Sequence, residues 1–228
     1  MNRKRDARRT VVVVGNGMVG HRFCERLVAL DLERRYRIVT FGEEPRPAYD
    51  RVNLSKFFDK RDAAPLGIAT RAWYEDNGVE LHVGDRVATI DRERRTVVSA
   101  GGREVEYDAV VLATGSAPFV PAVPGVDKKG IFVYRTIEDL EAILAYAPHV
   151  GSAAVIGGGL LGLEAAKAVR ELGLQTHVVE FAPRLMPRQL DDEGSKALLA
   201  KIEAMDVRVH LGKSTREFLG NGKVEGLA

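Results

Sequence analysis

Apolar positions in this chain follow two alternating rhythms. Thr10–Val14 is a continuous apolar run, which predicts a strand covered on both faces, as in a parallel sheet. From Gly17 to Leu30 the residues Phe23, Leu27 and Leu30 fall at helical spacing, and Arg37–Phe41 predicts a second strand. Thr70–Asn77 reads as a short helix with Thr70 as its cap and Gly78 as its stop. Thr96–Tyr107, folding about Gly101 and Gly102, predicts an antiparallel hairpin. Asp108–Ala113 predicts another buried strand, broken by Gly115 and Pro118, and Pro121–Gly125 reads as a linker. Thr136–Tyr146 predicts a helix opened by a capping pair, Thr136 and Asp139. From Ala153 the order restarts: strand, glycine turn, helix to Leu172, strand Gln175–Glu180. Lys223–Ala228 reads as a strand of a hairpin. Strand–helix–strand twice over, with Gly15, Gly17 and Gly20 and then Gly157, Gly159 and Gly162 at the strand-to-helix turns, predicts an α/β fold: two Rossmann-like dinucleotide-binding domains with parallel sheets and a β-hairpin insertion. The expected boundaries are 1–147 and 148–228, the second domain incomplete.

The glycines between strand and helix repeat too. In "VVVVGNGMVG" Gly15, Gly17 and Gly20 fit G-x-G-x-x-G. The first glycine permits a tight turn, the second lets a diphosphate approach the positive end of the helix, and the third allows close helix–strand packing. Glu43, at the end of the second strand and roughly 20 residues on, stands where a carboxylate accepts from a ribose. Its neighbour Glu44 reads as a solvated loop charge. In "VIGGGLLGLE" Gly157, Gly159 and Gly162 repeat the turn, and Glu180 ends the next strand. A carboxylate there suits the ribose of NADH and repels the 2′-phosphate of NADPH, which favours NADH; Arg184 nearby is the residue that argues the other way.

Composition narrows the classes. With 228 residues, 45% hydrophobic and 29% charged, the chain has an ordinary globular composition. A net charge of +2 argues against nucleic acid as partner, and the basic start "NRKRDARR" reads as a solvated arm. No apolar run is long enough for a membrane span or a secretory signal, so the expected setting is cytoplasmic. The single cysteine, Cys24, leaves no partner for a redox disulfide and cannot ligate an iron–sulfur cluster; on the first helix it reads as a packed thiol. His21, His82, His149, His177 and His210 have no metal-ligand spacing, so no metal site is expected. Trp73 and Tyr74 read as packing residues.

The segments "VVVVGNGMVG", "FGEEPRPAYDRVNLSK", "DAVVLATGSAPFVPAVPG" and "VIGGGLLGLEAA" occur in the order found in flavoprotein reductases with two dinucleotide-binding domains. "EEPRPAYDRVNLSKFF" and "RLMPRQLDDEG" more narrowly resemble the N-terminal reductase part of the assimilatory NAD(P)H nitrite reductase large subunit; rubredoxin and ferredoxin reductases are the alternative. The resemblance implies FAD at the first turn and NAD(P)H at the second. It implies that Arg51 and Lys56 lie beside the flavin, Lys56 being the candidate catalytic residue. A fixed cation there opposes the negative charge that reduction brings. Thr114 and Gly115 resemble the family's second flavin-contacting turn, and Val87 would meet the adenine through its backbone. The implied activity is transfer of hydride from NADH to FAD and of electrons to an iron-containing centre or a small redox protein. In the full-length family that centre is sirohaem with a [4Fe–4S] cluster, neither of which this chain can ligate. A homodimer is left open. In the family the chain returns from the second domain to complete the first, so a nucleotide-binding remnant without turnover is the competing expectation.

Overall fold

A computed structural model describes residues 8–228, so most of the basic start lies outside the described residues. In chain order the elements are β1 (Arg9–Val14), α1 (Met18–Leu30), β2 (Tyr36–Phe41), α2 (Phe57–Lys60), α3 (Arg71–Asp76), β3 (Val79–His82), β4 (Val87–Asp91), β5 (Thr96–Ser99), β6 (Glu104–Glu106) and β7 (Ala109–Leu112). They continue with α4 (Ile137–Tyr146), β8 (Ser152–Ile156), α5 (Leu160–Glu171), β9 (Gln175–Glu180), α6 (Asp192–Glu203), β10 (Val207–Leu211), β11 (Phe218–Leu219) and β12 (Gly226–Leu227). Two compact units form. Among the described residues one gathers 8–52 and 63–116, the other 53–62 and 117–228.

In the first unit a parallel sheet runs in the order β3-β2-β1-β7. The valines of β1 divide by parity. Val11 and Val13 pack with Cys24, Ile38, Tyr74 and Val79, among side chains of α1 and α3. Val12 and Val14 pack with Val39, Phe41, Val97 and Val105, under a three-stranded antiparallel sheet β4-β5-β6. Covering on both faces is why the run is apolar without alternation. Each fully buried valine contributes about 1.5–3 kcal/mol. The predicted hairpin is present as β5 and β6, with β4 added as a third strand.

Two expectations need correction here. Asp108–Ala113 was expected to be buried, but β7 is the sheet's edge strand and Leu112 is 64% exposed. Leu30, at the last position of the helical pattern, projects to solvent at 69%. Beneath α1 lies a polar cluster: the buried Tyr74 hydroxyl donates to Asn16 Oδ1 at 2.9 Å and lies 3.0 Å from His21 Nδ1. The Trp73 ring meets the His21 ring edge-on, so both aromatics of α3 pack rather than project. Cys24 is fully buried, and that burial pushes its thiol up to about 12, which makes it unreactive.

The second unit repeats the parallel order in a smaller sheet, β10-β9-β8. Leu163 and Ala166 of α5 and Ile202 of α6 pack on Val178 and Val207 from one side. The capping box of α4 is present: Thr136 accepts from the Asp139 N–H at 3.2 Å while Asp139 accepts from the Thr136 N–H at 2.8 Å. Such a cap is worth about 1 kcal/mol. Within the Lys223–Ala228 stretch, Gly226 and Leu227 pair antiparallel with β11. No helix among the described residues is long and apolar enough to cross a membrane.

Candidate functional site

Each parallel sheet ends its first strand in a glycine turn, and the two turns are built alike. The Gly15 N–H donates to the Phe41 carbonyl at 2.9 Å, and the Gly157 N–H donates to the Val179 carbonyl at 2.8 Å. Both glycines hold positive φ, +108° and +111°, which a side chain would strain. At Gly20 and Gly162, one turn into each helix, a Cβ would collide with the carbonyl oxygen of Gly15 and of Gly157 respectively. The middle glycines differ. A Cβ on Gly17 or Gly159 would meet nothing within 4 Å, so each turn keeps an open side at the start of its helix.

That open side is electropositive. Neither Gly17 nor Gly159 caps its helix through a side chain, and neither α1 nor α5 has an acid in its first turn. The other two long helices are treated differently: Thr136 caps α4, and Asp191 caps α6, with Asp192 and Glu193 beside it. Backbone N–H groups in the first turn of α1 and of α5 are thus left without a capping partner among the described residues, the arrangement that receives a phosphate. The residues present fit a dinucleotide diphosphate at each turn.

The strand-end carboxylates complete each turn. Glu43 follows β2, exposed, and its carboxylate accepts no hydrogen bond among the described residues. Glu44 is no solvated charge: it accepts from the Tyr49 hydroxyl at 2.6 Å and pairs with Arg51, whose guanidinium also lies over the Tyr49 ring. Of the two, Glu43 is the one left available to a ligand. Glu180 is held more firmly. Its Oε2 accepts from the Gly158 N–H and its Oε1 from the Ala182 N–H, both at 2.6 Å. A Cβ on Gly158 would press on the Glu180 Cβ and Cγ at 3.1 and 3.2 Å. Gly158 is therefore part of this site, and reading the motif as Gly157, Gly159 and Gly162 misses it. The signal was the middle glycine of "GGG".

The remaining candidates occupy several places. Val87 opens β4 opposite Ser99, half-buried. Thr114 and Gly115 follow β7 in exposed backbone, Gly115 at φ +67°. Lys56 ends a 3₁₀ turn, Leu54–Lys56, and its ammonium is exposed without an ion pair among the described residues. Linear spacing conceals one histidine pair: His177 Nδ1 lies 2.9 Å from His210 Nε2 across neighbouring strands, the rings parallel. No group of three or more potential metal ligands forms among the described residues.

The nitrite reductase [NAD(P)H] large subunit of Klebsiella oxytoca is 52% identical over 211 residues, which is 92% of this chain and 22% of that protein. The ferredoxin reductase for the CYP199A2 system from Rhodopseudomonas palustris has a TM-score of 0.88 at 31% identity, over 96% of this chain and 54% of that one. The reductase in the covalent putidaredoxin reductase–putidaredoxin complex gives 0.87 at 29%, over 97% and 55%. The chain thus spans less than a quarter of that nitrite reductase subunit and about half of each reductase. Residues 9–228 match the family described as pyridine nucleotide-disulphide oxidoreductase, and the chain belongs to that family.

Proposed function

We propose that this chain is the electron-input part of an FAD-dependent NAD(P)H oxidoreductase, accepting hydride from NADH and passing electrons to an iron-containing acceptor, with assimilatory nitrite reduction as its setting. One observation carries the reading. The same glycine turn, uncapped helix and strand-end carboxylate occur twice, and these are the parts a dinucleotide needs. The single buried cysteine supports an acceptor other than a disulfide within the chain, despite the family's name.

FAD is assigned to the first turn: Gly15, Gly17 and Gly20 receive the diphosphate, Glu43 the ribose, and Val87, Thr114 and Gly115 add backbone contacts. Arg51 and Lys56 are the cations assigned to the reduced ring, with Lys56 the candidate catalytic residue. Arg51 comes pre-oriented by Glu44 and Tyr49. By this assignment 1–147 serves FAD and 148–228, through Gly157, Gly159, Gly162 and Glu180, serves the pyridine nucleotide. Bound FAD supplies hydride acceptance and stepwise release of electrons. The protein's contribution is orientation and fixed charge.

Glu180 sets the coenzyme preference. Two backbone donors hold its carboxylate in place, and a carboxylate there opposes a 2′-phosphate. NADH should bind at least about tenfold tighter than NADPH, a difference of roughly 1.4 kcal/mol. Glu180→Ala should narrow that gap in coenzyme titrations; NADPH binding tighter to the unsubstituted chain would refute the assignment.

The functional test uses the purified chain with added FAD. It should take up flavin, seen as visible absorption after gel filtration, and reduce ferricyanide with NADH. It should make no ammonia from nitrite, because a [4Fe–4S] cluster takes four thiolates and the chain has one. A colourless protein that oxidises no NADH would favour the remnant without turnover. Reduction of a small ferredoxin at a rate comparable to ferricyanide would favour a ferredoxin-type reductase, the reading that the putidaredoxin reductase likeness supports.

A further inference from the structure

The loop between β9 and α6 is tied down at both ends of a short arc, first to the Glu180 side chain and then to the second glycine turn. The Ala182 N–H donates to Glu180 Oε1 at 2.6 Å, and the Met186 N–H donates to the Gly158 carbonyl at 3.1 Å. Between these ties the Leu185 side chain is fully buried, and its carbonyl accepts from the Ser195 hydroxyl at 3.0 Å. Arg184 lies inside this tied arc, four residues after the carboxylate assigned to the ribose, with its backbone position fixed by its neighbours. An arginine so placed is the type of group that accommodates a 2′-phosphate.

Its guanidinium is nevertheless committed elsewhere. Nη1 pairs with the Asp192 carboxylate, and Nη2 donates to the Pro187 carbonyl at 3.2 Å. Asp192 opens α6 without capping it. The cap is Asp191, whose carboxylate accepts from the Gly194 N–H at 2.8 Å. Arg184 is the only partner of the Asp192 carboxylate among the described residues.

We infer that Asp192 is a specificity-determining positioning residue: by holding Arg184 it withholds from NADPH the cation that a 2′-phosphate would recruit, and so reinforces the preference set by Glu180. This rests on reading the second glycine turn as the pyridine-nucleotide site. The arginine and aspartate side chains are 38% and 72% exposed, so the effect is modest: releasing the arginine should tighten NADPH by about two- to fivefold.

The experiment measures NADH and NADPH dissociation constants for the full chain by calorimetry. Asp192→Ala should tighten NADPH and leave NADH unchanged, Asp192→Glu should restore the original ratio, and Arg184→Ala added to Asp192→Ala should cancel the gain. A general loosening of the α6 start would alter both coenzymes alike and would overturn the inference, as would an unchanged NADPH affinity. Glu180→Ala separates the two ways of failing. If it relaxes the NADH preference while Asp192→Ala does nothing, only the role of Asp192 is lost. If Glu180→Ala moves neither coenzyme, the second turn is not the coenzyme site and the inference falls with it.

Discussion

Gly17→Val should leave the fold intact and lose FAD, whereas Gly159→Val should keep FAD and lose NADH, if each turn holds the cofactor proposed for it. Space at the two turns decides the outcome. Gly17 has φ −82° and ψ −166°, extended backbone that a β-branched residue adopts without strain, and Gly159 is similar at −84° and −178°. With nothing within 4 Å of a Cβ at either position, the apoprotein has room for the added isopropyl group. The same volume is where a diphosphate must come close to the helix N–H groups, so the valine excludes the ligand and not the fold. Affinity should fall by at least about a hundredfold, roughly 3 kcal/mol, at the turn that carries the substitution and at no other. Flavin content after purification with excess FAD, together with NADH titration and thermal melting of each variant, gives the answer. Equal flavin content in the two variants would end the assignment of one cofactor to each turn.

Gly20→Ala has the opposite character, failing in the fold before any ligand is added. Replacing glycine by alanine inside a helix ordinarily stabilises by about 0.5–1 kcal/mol. Here the new methyl would land on the carbonyl oxygen of Gly15, a backbone atom that cannot swing aside. Gly15 is itself held by its hydrogen bond to Phe41, so relief requires shifting α1 away from β1. Overpacking of this kind costs about 1–3 kcal/mol and more when backbone must move, so the expected net loss is about 3 kcal/mol. Urea denaturation reads it directly, with Gly17→Ala as the control that should be nearly neutral. A Gly20→Ala protein as stable as its parent would mean that helix and strand do not approach as closely as described.

These two glycines show how unevenly a fold is written into its sequence. The turns, the parallel strands and the capping box of α4 were legible because each is a local signal: an apolar run, a spacing of three or four residues, a threonine three before an aspartate. The edge position of β7 was not, since burial depends on what lies across the sheet and Val110 and Val111 look the same in an edge strand as in a central one. Pairings between distant residues left no trace either. Tyr74 and Asn16 are 58 positions apart, and His177 and His210 are 33 apart. At the second site the type and place of Glu180 could be anticipated from strand-end logic. Its capture by the N–H groups of Gly158 and Ala182, and the diversion of Arg184 to Asp192, follow from loop backbone that no periodicity describes. Sequence locates the charges; the loop decides which of them a ligand can use.

The cluster beneath α1 also fixes where its hydrogens are. Tyr74 has one hydroxyl proton and gives it to Asn16 Oδ1, so the short contact with His21 must be supplied from the imidazole side. His21 is thereby held as the Nδ1–H tautomer, leaving its lone pair on Nε2. Acquiring a second proton would fill Nε2 and break none of these bonds. What resists it is the loss of hydration in this buried corner, which keeps the ring's pKa below the ordinary histidine value. The support under the first glycine turn therefore keeps the same donors and acceptors whether the ring is neutral or charged.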